Sequence, residues 1–228
     1  HLLSVLITRG CPWNCAFCHN IWRYLPFRIY SPDKVIEELN GLKSKYGINY
    51  FIFRDDNIYA NKQKIKEILL TMVGSGLHLR WGANARADCL DDEILELSKR
   101  AGCQKLNFGF ESGSQRMLDE LDKKIKVDKI YDTVSKCRGH KIQVSGSFIV
   151  GHPNEKIADV YETRRMIRKL RLDSLGVAIA TPFPGTKWWR ISEERNLIPE
   201  HIEWSKFDFD NIPIKLNQVF SVKELKKI

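Results

Sequence analysis

Three cysteines near the start of the chain, Cys11, Cys15 and Cys18, follow one another in the spacing C-x3-C-x2-C. Three thiolates on one short loop can hold an iron–sulfur cluster, and a cubane cluster normally takes four cysteine ligands. A set of three leaves one iron open to bind a small molecule, as the open position of a catalytic zinc site does. The chain provides no fourth cysteine nearby, because the others are scattered at Cys89, Cys103 and Cys137.

Two other interpretations of the cysteines stay open. A zinc site could combine the three cysteines with His19, but adjacent ligands at positions 18 and 19 would strain one tetrahedron. The thiols could also be buried as small apolar side chains, but Pro12 and Asn14 interrupt the run in a way that is not typical of a core. A disulfide framework is disfavoured in a chain of this length without a secretory segment.

The composition indicates a globular protein that can bury a core. The chain has 228 residues, of which 43% are hydrophobic and 29% charged, a length that fits one large domain. No apolar run approaches the roughly 20 residues that a membrane helix needs. Because the sequence enters an apolar strand directly after His1, we expect a fragment of a longer protein. Reduced thiols and an oxygen-sensitive cluster favour a cytoplasmic location.

The positive charge is concentrated in one part of the sequence. The formal net charge is +9, and residues 123–171 contain 13 Lys and Arg against 5 Asp and Glu, a local excess of +8. A basic patch can attract nucleic acid or another anionic partner. The same residues would also suit the solvated outer face of two predicted helices, or a contact with a further domain.

Six apolar runs alternate with stretches of helical periodicity. The predicted strands cover 2–7, 50–53, 81–85, 105–110, 142–150 and 175–180. The first predicted helix begins at Ser31 and Pro32 and ends at Gly47, residues that favour a helix start and a helix end. This alternation predicts an α/β fold with a parallel sheet, in which six repeats fall short of the eight of a closed barrel. A doubly wound open sheet is the alternative.

The cysteine spacing, with the aromatic Phe17 directly before the third cysteine, resembles the radical S-adenosylmethionine (SAM) superfamily. The resemblance implies a partial six-stranded parallel βα barrel that is open and TIM-barrel-like. It also implies that Cys11, Cys15 and Cys18 bind a [4Fe–4S] cluster, whose open iron chelates the amino and carboxylate groups of SAM. In that family the reduced cluster cleaves SAM, and the resulting radical abstracts hydrogen from a substrate. Phe17 would then pack beside the adenine.

Polar residues follow several predicted strands, at the ends where parallel βα folds collect their sites. Asp55 follows the second strand, where it could cap a helix or face the methionine part of SAM; the family more often has Gly-Gly-Glu in place of Arg54-Asp55-Asp56. Arg86 and Asn84 end the third strand. A guanidinium matches the two oxygens of a carboxylate, so Arg86 could bind the SAM carboxylate, a substrate acid or its neighbour Asp88.

Three further segments resemble motifs of one large branch of the superfamily. Glu111 and Ser112 lie in a glycine–x–glutamate–serine–glycine segment, and a carboxylate at the end of an apolar strand needs a donor such as the SAM ammonium or ribose hydroxyls. Val150 and Gly151 resemble the fifth-strand motif that lies against adenine. His152 follows them and would lie either on the surface or facing the substrate cavity. The last segment resembles the sixth-strand turn and contains Pro182 and Pro184-Gly185-Thr186.

Together these segments predict the catalytic core of a radical SAM enzyme, residues 1–195, with a C-terminal extension over 196–228. The chain most resembles the branch in which a cobalamin-binding domain precedes the core, so cobalamin would be held outside this chain. The expected partners are a small-molecule substrate and an electron donor such as a flavodoxin or ferredoxin. The reaction could be methylation, cyclisation or a related step. The alternatives are a methylthiotransferase-like modifier of tRNA or other nucleic acid, and a non-catalytic module stabilised by zinc.

Overall fold

A computed structural model describes residues 3–19, 25–207, 214–217, 219–221 and 224. In this part of the chain the strands are β1 (Leu3–Val5), β2 (Thr8–Arg9), β3 (Arg28–Ile29), β4 (Tyr50–Phe53), β5 (Arg80–Ala85), β6 (Cys103–Glu111), β7 (Gln143–Val150) and β8 (Ser174–Ile179). The helices are α1 (Pro32–Tyr46), α2 (Lys62–Gly74), α3 (Asp92–Arg100), α4 (Gln115–Glu120), α5 (Val127–Gly139), α6 (Ile157–Leu170) and α7 (Lys187–Glu194).

Six strands form one parallel sheet in the order β1–β4–β5–β6–β7–β8, and β2 pairs antiparallel with β3. The order of the six follows the chain without a reversal, with α1, α2, α3, the α4–α5 pair and α6 as the successive crossovers. A doubly wound sheet would reverse direction at a switch point. Within the described residues β8 does not pair with β1, so the sheet stays open. The predicted partial βα barrel is therefore confirmed.

Local sequence signals explain where the first crossover helix begins and ends. The Ser31 hydroxyl accepts a hydrogen bond from the Lys34 amide at 3.4 Å, and Pro32 takes the first helical position. Gly47 adopts a left-handed φ of 66° and donates its amide to the Lys43 carbonyl, which ends α1. These signals agree with the helix predicted from the sequence.

The main core lies between the sheet and its crossover helices. Trp81 is fully buried, and its indole nitrogen donates to the Ala101 carbonyl at 2.9 Å. The rings of Phe108 and Phe110 lie stacked at 5.3 Å on β6. Along this strand buried apolar side chains alternate with Asn107 and Gly109. The face of β6 that carries these two residues is therefore not part of the apolar core.

We expect two glycines to respond in opposite ways to alanine. A Cβ atom at Gly113 would lie 2.6 Å from the Glu162 carbonyl oxygen and 2.7 Å from the Thr163 Cα, which belong to the α6 backbone. Gly113→Ala should therefore cost about 1–3 kcal/mol of folding free energy. Gly41 lies inside α1, and a Cβ atom there would meet nothing within 4 Å outside the backbone of the helix itself, so Gly41→Ala should stabilise the protein by about 1 kcal/mol. Urea unfolding midpoints of both variants check the pair; equal shifts would contradict it.

Parts of the predicted C-terminal extension pack against the core. Leu216 belongs to a buried cluster with Trp188, and Phe220 packs on Val160 of α6. The Asn217 side chain donates to two backbone carbonyls of the loop after β7, at 2.8 and 3.0 Å. The boundary at residue 195 stays a prediction. Every helix in the described residues is too short or too polar to cross a membrane.

Candidate metal and cofactor site

A cavity of about 610 Å³ lies against the sheet and is lined by the carboxyl ends of β4 and β5, by inner positions of β6 and β7 and by the start of β8. All three cysteines of the predicted cluster loop line it, although their role as ligands stays a prediction. The same cavity reaches residues of five strands or the loops that follow them. Its lining comprises Cys11, Cys15, Phe17, Cys18, Arg54, Asp56, Asn84, Ala85, Arg86, Asn107, Phe108, Gly109, Glu111, Lys123, Ser145, Gly146, Ser147, Ser174, Leu175 and Gly176.

The cysteine loop is fixed by backbone hydrogen bonds to distant segments. The Ala16 amide donates to the Leu121 carbonyl at 2.9 Å, and the Ala16 carbonyl accepts from the Trp188 amide at 3.3 Å. The Phe17 ring lies 5.7 Å from the Trp188 ring, which holds Phe17 at the cavity wall. The loop is thus held by α7 and by the end of α4, and its cysteines are presented from a defined backbone.

Asp55 anchors the start of this loop rather than lining the cavity. Its Oδ1 accepts the Ile7 amide at 3.0 Å, the Thr8 hydroxyl at 2.6 Å and the Thr8 amide. Burial raises the pKa of Asp55, although the Thr8 bonds oppose that increase. Its neighbours Arg54 and Asp56 line the cavity instead. Asp55 is not part of the cavity lining, so its predicted contact with SAM stays a prediction.

The donor set fits an iron–sulfur cluster. Cys15 is buried, and Cys11 and Cys18 are half-buried in the same cavity wall. Burial raises the pKa of Cys11, and burial together with the neighbouring cysteines raises the pKa of Cys18 to about 11, so cluster assembly would have to displace protons. Cluster ligands each bind a different iron and need not meet at one ion.

The zinc alternative finds no support in the described residues. There, no three His, Cys, Asp or Glu side chains converge on the position of a single metal ion. The His19 ring instead lies against the Pro184 carbonyl, with 2.7 Å between Nδ1 and the oxygen. The tetrahedral set of Cys11, Cys15, Cys18 and His19 is therefore not assembled.

Arg86 is held by contacts on every side of its guanidinium. Its Nε and Nη2 donate to the two carboxylate oxygens of Asp88 at 3.1 and 3.0 Å, and Nη2 also donates to the Lys123 carbonyl at 2.5 Å. Nη1 lies 3.6 Å from Cys15 Sγ, and the guanidinium carbon lies 4.4 Å from the centre of the Trp13 ring. The ion pair with Asp88, one of the sequence alternatives, is thus present.

Glu111 forms a buried ion pair at the cavity wall. Its Oε1 accepts a hydrogen bond from Lys123 Nζ at 2.7 Å, and the two side chains are only 8% and 6% exposed. Glu111 has a left-handed φ of 65° at a register shift in β6. A Cβ atom on Gly109 would collide with the Glu111 carboxylate, so this glycine makes room for it. Lys123 was not predicted from the sequence.

The remaining predicted SAM contacts lie outside the cavity lining. Ser112 is fully buried and lies 3.1 Å from the Thr163 hydroxyl. Gly151 has a φ of 83° and donates its amide to Glu155 Oε2 at 2.6 Å, and Val150 is buried beside it. These residues support the strand ends in this arrangement, and their contact with SAM stays a prediction.

His152 is fully buried, so the interpretation as a surface histidine is wrong. Its ring packs at 5.5 Å on Trp188 and lines a second cavity of about 300 Å³, separate in lining from the cysteine cavity. Burial lowers the pKa of His152 to about 4 and raises the pKa of the neighbouring Glu155 to about 7. Tertiary packing by α7, which the sequence analysis did not predict, is what covers this loop.

The high pKa of Glu155 predicts a pH-dependent effect of Glu155→Gln. The folded protein holds the Glu155 proton up to about pH 7, whereas an unperturbed carboxyl loses it near 4.5. Glu155 therefore contributes its full stability below pH 4.5 and loses it as the pH rises toward 7. Since glutamine does not ionise, the variant should gain about 1–3 kcal/mol relative to wild type over that range.

Urea midpoints of wild type and variant, measured at several pH values, test this. His152 has the opposite effect, because its low pKa costs stability as the pH falls from 6.5 to about 4. His152 Nε2 lies 3.8 Å from Glu155 Oε1, but with a pKa of about 4 this histidine is neutral between pH 5 and pH 7 in both folded proteins, so its contribution cancels over that range. A wild-type-minus-variant difference that is constant from pH 5 to pH 7 would contradict the prediction.

A row of small polar side chains on the cavity floor was missed by sequence analysis. Asn84, Asn107, Ser145 and Ser174 are register partners across β5, β6, β7 and β8, and all line the cavity. The signal was present as alternation with buried residues such as Leu106 and Val144. Asn84 was noted at the end of its strand, but apolar β-propensity dominates the pattern in these strands, so the row as a whole was not predicted.

A group of basic residues on α6 lies away from the cysteine cavity. Residues of α6 and the position after it line a separate open depression of about 710 Å³: Tyr161, Arg164, Arg165, Arg168, Lys169 and Arg171. None of these residues lines the cysteine cavity. The part of the basic excess that lies on and just after α6 thus forms an outer surface, whereas Lys123 of the same basic stretch lines the cysteine cavity.

The fold is an open parallel βα barrel, and its cavity gathers three cysteines of one loop. A family model described as the Radical SAM superfamily matches residues 5–167. The chain therefore belongs to the radical SAM superfamily, a family of enzymes, as the cysteine spacing predicted.

Two curated relatives and one solved structure illustrate the likeness. An uncharacterized methyltransferase of Pyrococcus horikoshii is 33% identical over 225 residues, which are 98% of this chain and 49% of that protein. The anaerobic magnesium-protoporphyrin IX monomethyl ester cyclase of Cereibacter sphaeroides is 30% identical over 207 residues, 89% of this chain and 33% of that protein. This chain thus spans about half, or less, of the length of these relatives.

The solved structure is the radical SAM methyltransferase TsrM from Kitasatospora setae, with cobalamin and a [4Fe–4S] cluster bound. Its TM-score is 0.74 at 18% identity, over 84% of this chain and 37% of that chain. At this identity the likeness establishes a shared fold.

Proposed function

We propose that this chain is the catalytic core of a radical SAM enzyme that holds a [4Fe–4S] cluster on Cys11, Cys15 and Cys18. The observation that carries the proposal is that these three thiols share one cavity with the buried pair of Glu111 and Lys123. When bound and reduced, such a cluster supplies the electron that cleaves SAM and starts radical chemistry. The remaining residues bind and orient SAM and the substrate.

The Glu111–Lys123 pair suits the amino-acid part of SAM. When a zwitterion binds, its ammonium can pair with the Glu111 carboxylate and its carboxylate with the Lys123 ammonium, through charge-assisted hydrogen bonds. Lys123 Nζ also lies 5.7 Å from the centre of the Phe17 ring, which places the aromatic surface proposed for adenine beside the same pair. Glu111 and Lys123 would thus fix the polar end of SAM, and Phe17 its base.

We infer that the reaction is a methyl transfer to a small organic molecule. Methyltransferase is the activity in the names of the Pyrococcus relative and of TsrM, and TsrM was solved with cobalamin. Cobalamin would be held by a domain outside these residues. The cyclase relative favours ring formation as the second candidate reaction. A flavodoxin or ferredoxin would supply the electron, and the oxygen-sensitive cluster favours the cytoplasm.

Anaerobic reconstitution with iron and sulfide tests the proposal. We expect the protein to bind a cluster and, with dithionite and SAM, to release 5′-deoxyadenosine measured by mass spectrometry. The same assay is then repeated with cobalamin and candidate acceptor molecules. The products, identified by mass spectrometry, distinguish methylation from cyclisation. A protein that binds no cluster, or binds one without cleaving SAM, would overturn the proposal.

A further inference from the structure

Arg86 contacts the sulfur of a proposed cluster ligand while most of its donors are already engaged. An arginine guanidinium has five N–H groups. Two hydrogen bonds go to the Asp88 carboxylate and one to the Lys123 carbonyl, and a fourth group points to Cys15 Sγ at 3.6 Å. The side chain is 7% exposed. One N–H group is left, which is too few for the two-oxygen clamp that arginine makes with a carboxylate.

The surroundings hold this guanidinium in one orientation. Asp88 binds its edge through two oxygens, and the Trp13 ring covers its face with 4.4 Å between the ring centre and the guanidinium carbon. Trp13 lies between Cys11 and Cys15 in the sequence, so the loop that carries the ligands also packs on the arginine. A positive charge is therefore fixed against the Cys15 sulfur and cannot swing toward the centre of the cavity without breaking three hydrogen bonds.

We propose that Arg86 is a positioning residue that raises the reduction potential of the cluster through its hydrogen bond to Cys15 Sγ. The inference rests on the proposed function, because it requires a cluster on Cys15. Reduction adds one electron from an external low-potential donor and makes the cluster more negative, with no bond broken. A fixed cation and an N–H donor at a ligand sulfur stabilise that added charge, and hydrogen bonds to the sulfurs are known to set cluster potentials.

The test is a redox titration of the reconstituted protein with dithionite and low-potential dyes, followed by electron paramagnetic resonance. Arg86→Met removes the charge and the donors but keeps an unbranched apolar stem. We expect a tenfold smaller equilibrium constant for one-electron reduction, equivalent to about 59 mV more negative. Iron content and SAM affinity should stay at wild-type values, since Arg86 is neither a ligand nor the SAM anchor.

Two further variants keep the proposal falsifiable. Arg54→Gln removes a second guanidinium that lines the same cavity but is exposed, so it should leave the potential nearly unchanged. Arg86→Lys keeps the charge, so it should make the reduction potential more negative by a smaller amount than Arg86→Met does. The lysine variant also provides a test if Arg86→Met fails to fold.

Each outcome of these titrations supports or overturns the proposed role of Arg86. An unchanged potential in the Arg86 variants, or an equal shift in Arg54→Gln, overturns the inference. A tenfold loss of SAM affinity at an unchanged potential would instead make Arg86 the carboxylate anchor. A wild-type protein that binds no cluster would overturn the proposed function, and this inference with it.

Discussion

Cys15→Ala is expected to abolish cluster binding and SAM cleavage. Cys15 is the most buried of the three cavity thiols, and it lies between the other two in the loop. A cluster held by only two protein sulfurs would be exchanged readily with solvent thiols. We expect the bound iron to fall to background and 5′-deoxyadenosine formation to fall on the order of a thousandfold or more, about 4 kcal/mol in activation free energy.

The control is Cys89→Ala. Cys89 is half-buried, as Cys11 and Cys18 are, and it accepts a hydrogen bond from the Asn57 side chain at 3.3 Å instead of lining the cavity. Burial raises the pKa of Cys89 to about 11, as it does for Cys18. The two variants thus remove the same chemical group, one from the cavity wall and one from a position outside the lining, and only the first should lose iron. Equal loss in both, or none in Cys15→Ala, would show that the ligand set is wrong.

The sequence predicted the sheet well because each strand carries its own signal. Every crossover helix follows a short apolar run, and caps such as Ser31 and Gly47 mark the boundaries. The antiparallel pair β2–β3 and α7 were not predicted. Strands of two residues carry no periodicity, and α7 begins directly after the Pro184-Gly185-Thr186 turn, where the sequence analysis predicted the turn and no helix.

The site was harder to predict because side-chain direction at strand ends depends on register. The acidic pair after β4 was found, but Asp55 points toward Ile7 and Thr8 while Asp56 lines the cavity. One residue along an extended chain reverses the direction of the side chain, and the sequence does not fix where the strand stops.

Lys123 shows a second limit of sequence analysis. It lies 12 residues after its partner Glu111, with α4 between them, and its contact depends on how α4 packs. A lysine in a basic, helical stretch is ordinarily solvated, so no local pattern distinguishes this one. The buried ion pair is visible only in three dimensions, and it leads to the second prediction.

Glu111→Gln is expected to weaken both the fold and SAM binding. The variant leaves the Lys123 ammonium buried without a counter-charge, and breaking a buried pair from one side costs about 3–5 kcal/mol. SAM would also lose a charged partner for its ammonium or ribose, so we expect at least a tenfold higher Kd, about 1.4 kcal/mol. Denaturant midpoints and equilibrium binding of SAM to the reconstituted protein measure the two effects separately.

Three further variants separate charge, pairing and position. Asp56→Asn removes an exposed carboxylate from the same cavity and should change stability by less than about 0.5 kcal/mol. Glu111→Gln combined with Lys123→Gln removes both charges and should recover most of the stability without restoring SAM binding. Gly109→Ala keeps both charges but displaces the Glu111 carboxylate, so SAM binding should fall.

The combined result decides between a structural and a binding role for the pair. If the double variant regains stability and also binds SAM as wild type does, Glu111 and Lys123 only hold the end of β6 against the loop after α4. If stability returns while SAM affinity stays at least tenfold weaker, the pair binds SAM directly. We expect the second outcome, because both side chains line the cysteine cavity, where a ligand bound beside the cysteines would meet them.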